Sequence, residues 1–262
     1  MGLYEFAVYD MFIPTIAIFT FGMVYRLSRY VFLYKRTAQP MWRKTSIPHR
    51  IYLLVDAFIH AIVAAIKRSK VTFVSGIFLL HFLGVIPVLF LLSHHIVWWS
   101  YYFPPYSILS PLAIPTSATS SALTVTAPFT PVTGMSHGFV NTIWGPLTVI
   151  LNGDVLAILA IIGTTFKLLE KIPEKFREKL ARVRLGDFVA LLLLLSILIS
   201  GYMATHHLPS GDIETYKFML GLHILTAEIL VLLLPFTKFF HFVFSFWYGK
   251  LHEAYDLWRR GL

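Results

Sequence analysis

Cysteine is missing altogether from this 262-residue chain. Its absence excludes disulfides, iron–sulfur clusters, thiolate zinc sites and covalently attached c-type haem in one step. Any redox centre in the chain must then be held by histidine, of which there are 11. Charge is also scarce. Charged residues make up 13% against 57% hydrophobic, and mean hydropathy is +0.71, a balance that excludes an ordinary soluble domain and predicts an integral membrane protein. Amides are limited to Gln39, Asn141 and Asn152, a depletion of thermolabile side chains that fits life at high temperature. The stretch from Met1 to Asp10 has neither a basic n-region nor a small-residue cleavage site, so the first apolar run reads as a retained span. No Ser or Thr follows the N-terminal Met-Gly at the myristoylation position.

What is present is a set of long apolar runs. A helix rising ~1.5 Å per residue needs about 20 residues to cross the hydrocarbon core, and five runs near 10–32, 72–100, 143–168, 186–205 and 216–247 meet that length. The expected fold is therefore all-α: a single polytopic membrane domain over 1–262, built as a five-helix bundle. The net charge of +9 is concentrated at span ends: ten Lys and Arg lie between Arg26 and Lys70, seven between Lys167 and Arg184, and four from Lys238 onward. With five alternating spans all three clusters fall on one side. The positive-inside rule makes that side cytoplasmic, with the N-terminus outside and the C-terminus inside, in a multi-pass protein of the cell membrane. That placement also argues against nucleic acid as the partner of the basic charge. The shorter apolar stretch 51–66, followed by Lys-Arg-Ser-Lys, is expected as a helix at the cytoplasmic interface. Residues 101–142, rich in Pro, Ser and Thr, are expected as a long outer loop without helical periodicity.

Histidines inside the apolar runs give the first functional signal, because ionisable residues within spans usually face a bundle interior and pair with something. In the last run, His223 and His241 are eighteen residues apart. At ~100° per residue a continuous helix would turn through five full turns between them, placing both on one face about 27 Å apart. The second run carries His81 and the doublet His94–His95. Running antiparallel to the last, it would set His81 at the depth of His241 and the doublet at the depth of His223. Opposed imidazoles on facing helices are the axial ligation of a low-spin b-type haem. Counting from His81 favours His95, offset by about 40°, over His94, offset by about 140°. Pro87 lies between and can kink the axis, so His94 stays an alternative.

The stretch "GLHILTAEILVLLLPFTKFFHFVFSFWYGKLHEAYDLWRR" resembles the last span of the gamma subunit of respiratory nitrate reductase and of related dihaem cytochrome b subunits. In both, a His, a Leu-Pro-Phe, a small hydroxyl residue, a basic residue and a second His follow one another. The chain departs from that pattern in the longer spacing within its second span, the histidine doublet and the long outer loop. The resemblance implies two haem b groups, with His81 and His241 as cytoplasm-side ligands and His95 and His223 as outer-side ligands. It implies a respiratory subunit that oxidises quinol from the quinone pool near the outer haem and passes electrons to the iron–sulfur and catalytic subunits of an iron–sulfur or molybdenum enzyme. The same architecture would also serve a sulfur-compound or disulfide reductase.

His94, His206, His207, Tyr101 and Tyr102 cluster toward the outer side and can accept a proton or hydrogen-bond a hydroxyl, which makes them candidate quinol contacts. Interfacial placement explains each of them equally well. Lys238, three residues before His241, is placed for a haem propionate or for snorkelling to the surface. Glu228 and Asp154 lie within expected spans and suit interhelical hydrogen bonding or a proton route. A rival from another class is a haem-free transporter or anchor with structural histidines, although the chain lacks the paired broken helices and inverted repeats of a secondary transporter.

Overall fold

The computed structural model describes residues 2–37, 47–117, 124–126, 130–132, 142–176 and 185–242. It is helical but for one short antiparallel hairpin, β1 (Thr124–Thr126) and β2 (Thr130–Val132). Among the described residues four helical stretches are long and apolar enough to cross a membrane: Leu3–Arg29, Phe73–Leu91, Leu185–Thr205 and Ile213–Phe236. Four such helices in one chain make this a multi-pass membrane protein. The chain divides into two compact units, one of Met1–Tyr4 with Val71–Ile224 and one of Glu5–Lys70 with Leu225–Leu262.

In the first unit a π-helix, Phe73–Val85, leads into α3 (Ile86–Leu91), and α4 (Ser93–Tyr102) follows after a break at Leu92. The π-helix packs against α5 (Gly153–Phe176) through small residues. A Cβ added at Gly84 would lie 2.7 Å from the Ala160 Cβ, and one at Gly163 would lie 2.8 Å from the Leu80 backbone nitrogen. Without a hydrophobic drive between helices in lipid, close backbone approach over such residues is what holds two helices together. Two further helices complete the unit, α6 (Leu185–Thr205) and the first part of α7 (Ile213–Leu233). Asp212 caps α7, accepting from the Thr215 backbone N–H at 2.8 Å and its hydroxyl at 2.8 Å. Hydrogen bonds from Ser210 and Thr215 hold the Asp212 carboxyl well below the usual carboxylate range.

The second unit holds α1 (Phe12–Thr37), which continues a π-helical turn at Phe6–Met11, and α2 (Ile47–Arg68), the helix expected at 51–66. It also holds the end of α7 and two 3₁₀ turns, Leu234–Phe236 and Lys238–Phe242. Arg26 of α1 donates from Nη1 to the Pro235 carbonyl at 3.1 Å, and its guanidinium lies 4.6 Å over the buried Phe240 ring.

Four sequence expectations change. The run 72–100 is not one α-helix. Leu92 adopts φ −59°, ψ 136°, an extended conformation that ends α3, and π-helical geometry precedes it. Among its described residues the run 216–247 is α-helical only to Leu233, because Pro235 has no N–H to continue the ladder and Thr237 is extended. Residues 101–142 are not a plain loop, since they contain a 3₁₀ helix at Pro104–Leu112 and the hairpin. The run 143–168 becomes a 3₁₀ turn, Gly145–Val149, and α5, which carries Asp154, Lys167 and Glu170 within eighteen residues.

Candidate functional site

Breaking a helix at Leu92 leaves carbonyls at the end of α3 and N–H groups at the start of α4 without helical partners. The strand-like segment 113–117 supplies some of them. Ile114 N–H donates to the Leu91 carbonyl at 2.7 Å, and the Ile114 carbonyl accepts from Ser93 N–H at 2.9 Å, a parallel bridge between Leu92 and Ile114. Leu92, Ile114 and Leu156 are each at most 5% exposed and form an apolar knot with Val88, Leu91, Trp144 and Leu151 around them. Trp144 fastens it further, donating from Nε1 to the Leu112 carbonyl at 2.8 Å. Part of the segment expected as a long loop at 101–142 is thus built into the helix break.

The histidine doublet begins α4 directly after this break. His95 Nδ1 lies 2.7 Å from the Val88 carbonyl and His94 Nδ1 lies 3.4 Å from the Thr116 hydroxyl. The two rings are 4.0 Å apart, centroid to centroid, at 48°. On α7, His223 Nδ1 lies 2.9 Å from the Ile197 carbonyl of α6. The ring rests against Gly201, where an added Cβ would come within 2.8 Å of both Cε1 and Nδ1. His81 sits on the π-helix with Nδ1 2.5 Å from the Gly76 carbonyl. A carbonyl can only accept, so in His81, His95 and His223 the Nδ1 carries the hydrogen and Nε2 carries the lone pair. His94 has no such constraint, because a hydroxyl can donate or accept.

Other candidates fall as follows. Tyr101 and Tyr102, at the end of α4, are exposed and form an edge-on pair 5.0 Å apart. Burial and then the neighbouring Tyr101 push the Tyr102 hydroxyl above its ordinary value, so it remains a donor at neutral pH. His207 takes a left-handed conformation, φ 52°, at the end of α6 and stacks on Tyr216 at 4.8 Å. His206 is drawn elsewhere: its Nε2 donates to Asp154 Oδ1 at 2.8 Å, and Ser117 Oγ donates to Asp154 Oδ2 at 2.5 Å. Lys238 is exposed in the second unit, where His241 occupies the same 3₁₀ turn with its side chain outside the described residues. Among the described residues no group of three or more His, Asp or Glu is arranged to hold a metal ion, a condition that a two-imidazole site does not need to meet.

Sequence reasoning missed several of these relations. Asp154 and His206 are 52 residues apart, and Ser117 lies 37 from Asp154, so only the tertiary fold joins them. Gly201, isolated in a leucine-rich helix, was the one legible hint of a close approach. No protein-family model, curated protein or solved structure matches the chain.

Proposed function

We propose that this chain is a dihaem b-type membrane subunit of a respiratory complex, oxidising quinol near an outer haem and passing electrons to iron–sulfur and catalytic partner subunits. The observation that carries the reading is the shared Nδ1-to-carbonyl bond of His81, His95 and His223. Axial imidazoles are neutral, bind through one nitrogen and are oriented by a hydrogen bond from the other, so a backbone acceptor at Nδ1 holds the ring as such a ligand requires. The outer site is assigned to His223 with His95, or with His94 as the alternative, all three lying in the same compact unit. His81 and His241 are assigned to the inner site, with Lys238 as a propionate contact. There Arg26, bonded to Pro235 and stacked on Phe240, steadies the turn that carries His241. Bound haem would supply one-electron chemistry at each site.

The proposed topology keeps five spans, with the N-terminus outside and α5 as the third crossing. Its charges are compatible with burial, because Asp154 is bonded to Ser117 and His206 and Lys167 pairs with Glu170 at 2.5 Å. His94, Tyr101, Tyr102, His206 and His207 are the groups proposed to meet quinol.

The test is a reduced-minus-oxidised spectrum with a haem-to-protein ratio. Two low-spin b haems per chain are expected, falling to one in His223→Ala and one in His241→Ala. A folded, membrane-inserted chain without haem overturns the proposal.

A further inference from the structure

The Asp154–His206 pair joins the start of α5 to the end of α6. Asp154 lies in the first turn of α5, where the buried Asn152 caps the helix by accepting from the backbone N–H groups of Asp154 at 3.1 Å and Val155 at 3.2 Å. This fixes the carboxylate at the helix start. One oxygen then accepts from Ser117 Oγ and the other from His206 Nε2, so both oxygens are engaged and both donors are specified. His206 closes α6, and Tyr202 one turn earlier holds its ring at 4.4 Å. In the neutral imidazole this fixes the tautomer: Nε2 carries the hydrogen toward Asp154, and Nδ1 on the far side of the ring is an acceptor. The imidazole side chain is 24% exposed, so the ring is not sealed inside the protein. Thr116, the neighbour of Ser117, reaches His94 Nδ1 at 3.4 Å and Ser93 Oγ at 3.2 Å, so the segment that holds Asp154 also touches the start of α4.

We propose that His206, positioned by Asp154 and Ser117, binds a hydroxyl of the quinol headgroup through Nδ1 and thereby selects the reduced headgroup over the oxidised one. This rests on the quinol-oxidising reading above and assigns its substrate contact. A quinol presents an O–H that an acceptor nitrogen can take. The quinone presents a carbonyl oxygen, whose lone pairs face the Nδ1 lone pair with no hydrogen between them. A site that binds hydroxyl and rejects carbonyl holds substrate and releases product, using a half-buried carboxylate only to keep the imidazole in the correct tautomer. Asp154 and Ser117 are positioning residues here, and His206 is the one that touches substrate.

The test uses the purified full chain in lipid nanodiscs and measures equilibrium binding of three headgroup analogues with the same short alkyl tail: a methylated benzoquinol, its dimethyl ether and the corresponding quinone. One net hydrogen bond, with the avoided lone-pair clash, predicts quinol binding about tenfold tighter than either of the others. His206→Gln, whose amide both donates and accepts, should bring quinol and quinone to within about twofold of each other. His206→Phe should keep the ring volume and lose most of the preference for quinol over the ether. Equal affinity of the unmodified chain for quinol and its ether, or an undiminished preference in His206→Phe, overturns the assignment, and the first of these needs no variant to fold. The haem spectrum is read on the same sample. Two haems without quinol selectivity would reject His206 while leaving the electron-transfer reading in place, and absence of haem would reject that reading on its own.

Discussion

Gly201→Ala separates helix propensity from the seat of His223. On propensity alone, alanine in the interior of α6 should stabilise the chain by about 1 kcal/mol relative to glycine. The local geometry opposes this. The new Cβ would lie 2.8 Å from Nδ1 and Cε1 of His223, where ordinary contact begins at 3.4 Å, so the ring must retreat by about 0.6 Å. Retreat stretches the 2.9 Å bond to the Ile197 carbonyl, a loss of about 1 kcal/mol net, and overpacking adds about 1–3 kcal/mol. The net expectation is destabilisation by about 1–3 kcal/mol, read by thermal or denaturant unfolding in a defined detergent. Ligating groups must be held within about 0.5 Å of productive geometry, so the proposed outer haem should be lost or weakened in the same variant while the inner one is retained. A Gly201→Ala protein that is as stable as the parent, or more so, with both haem signals intact, would refute the claim that this glycine seats the imidazole.

His95→Ala should abolish the outer haem signal and His94→Ala should retain it, since His95 alone of the two has its tautomer set by a carbonyl; the opposite pattern in the reduced spectrum would reverse the ligand assignment. Asn152→Ala should cost about 1–2 kcal/mol in unfolding free energy, because its side chain caps α5 and donates to the Thr148 and Val149 carbonyls, and a change within experimental error would show that the cap is redundant. A cysteine introduced in the loop 167–187 should resist membrane-impermeant reagents applied to intact cells, whereas labelling from outside would invert the proposed topology.

Much of the helical architecture was legible because hydrophobic length is a direct reading of bilayer thickness. The runs at 186–205 and 51–66 lie on α6 and α2 with small shifts at their ends. The site was less legible, because its reasoning used a ruler that holds only for an unbroken α-helix. Between His81 and His95 the chain passes through π-helical turns and an extended Leu92, so ~100° per residue does not carry across. Pro87 did flag trouble, yet it sits in the first turn of α3, where its missing N–H costs little, and the break comes five residues later. Nothing in Leu-Leu-Ser-His-His announces that break, since its stabiliser, Ile114, lies 22 residues downstream of Leu92. In the last run the proline did mark the true end of the helix, and there the error was to count through it.

The break and the histidine chemistry are one feature seen twice. A helix that stops inside a membrane protein leaves carbonyls in its last turn with no backbone donor, and each left unmet would cost several kcal/mol. In α3 those acceptors meet three different donors: the Val88 carbonyl meets His95 Nδ1, the Phe90 carbonyl meets the Tyr106 hydroxyl at 3.0 Å, and the Leu91 carbonyl meets Ile114 N–H. The His95 ring is therefore recruited as a helix cap, and the cap dictates its tautomer. His81 obtains the same result from the Gly76 carbonyl five residues back in the π-helix, and His223 from the Ile197 carbonyl of the neighbouring α6. Three unrelated local solutions converge on an imidazole with Nδ1 occupied and the lone pair on Nε2.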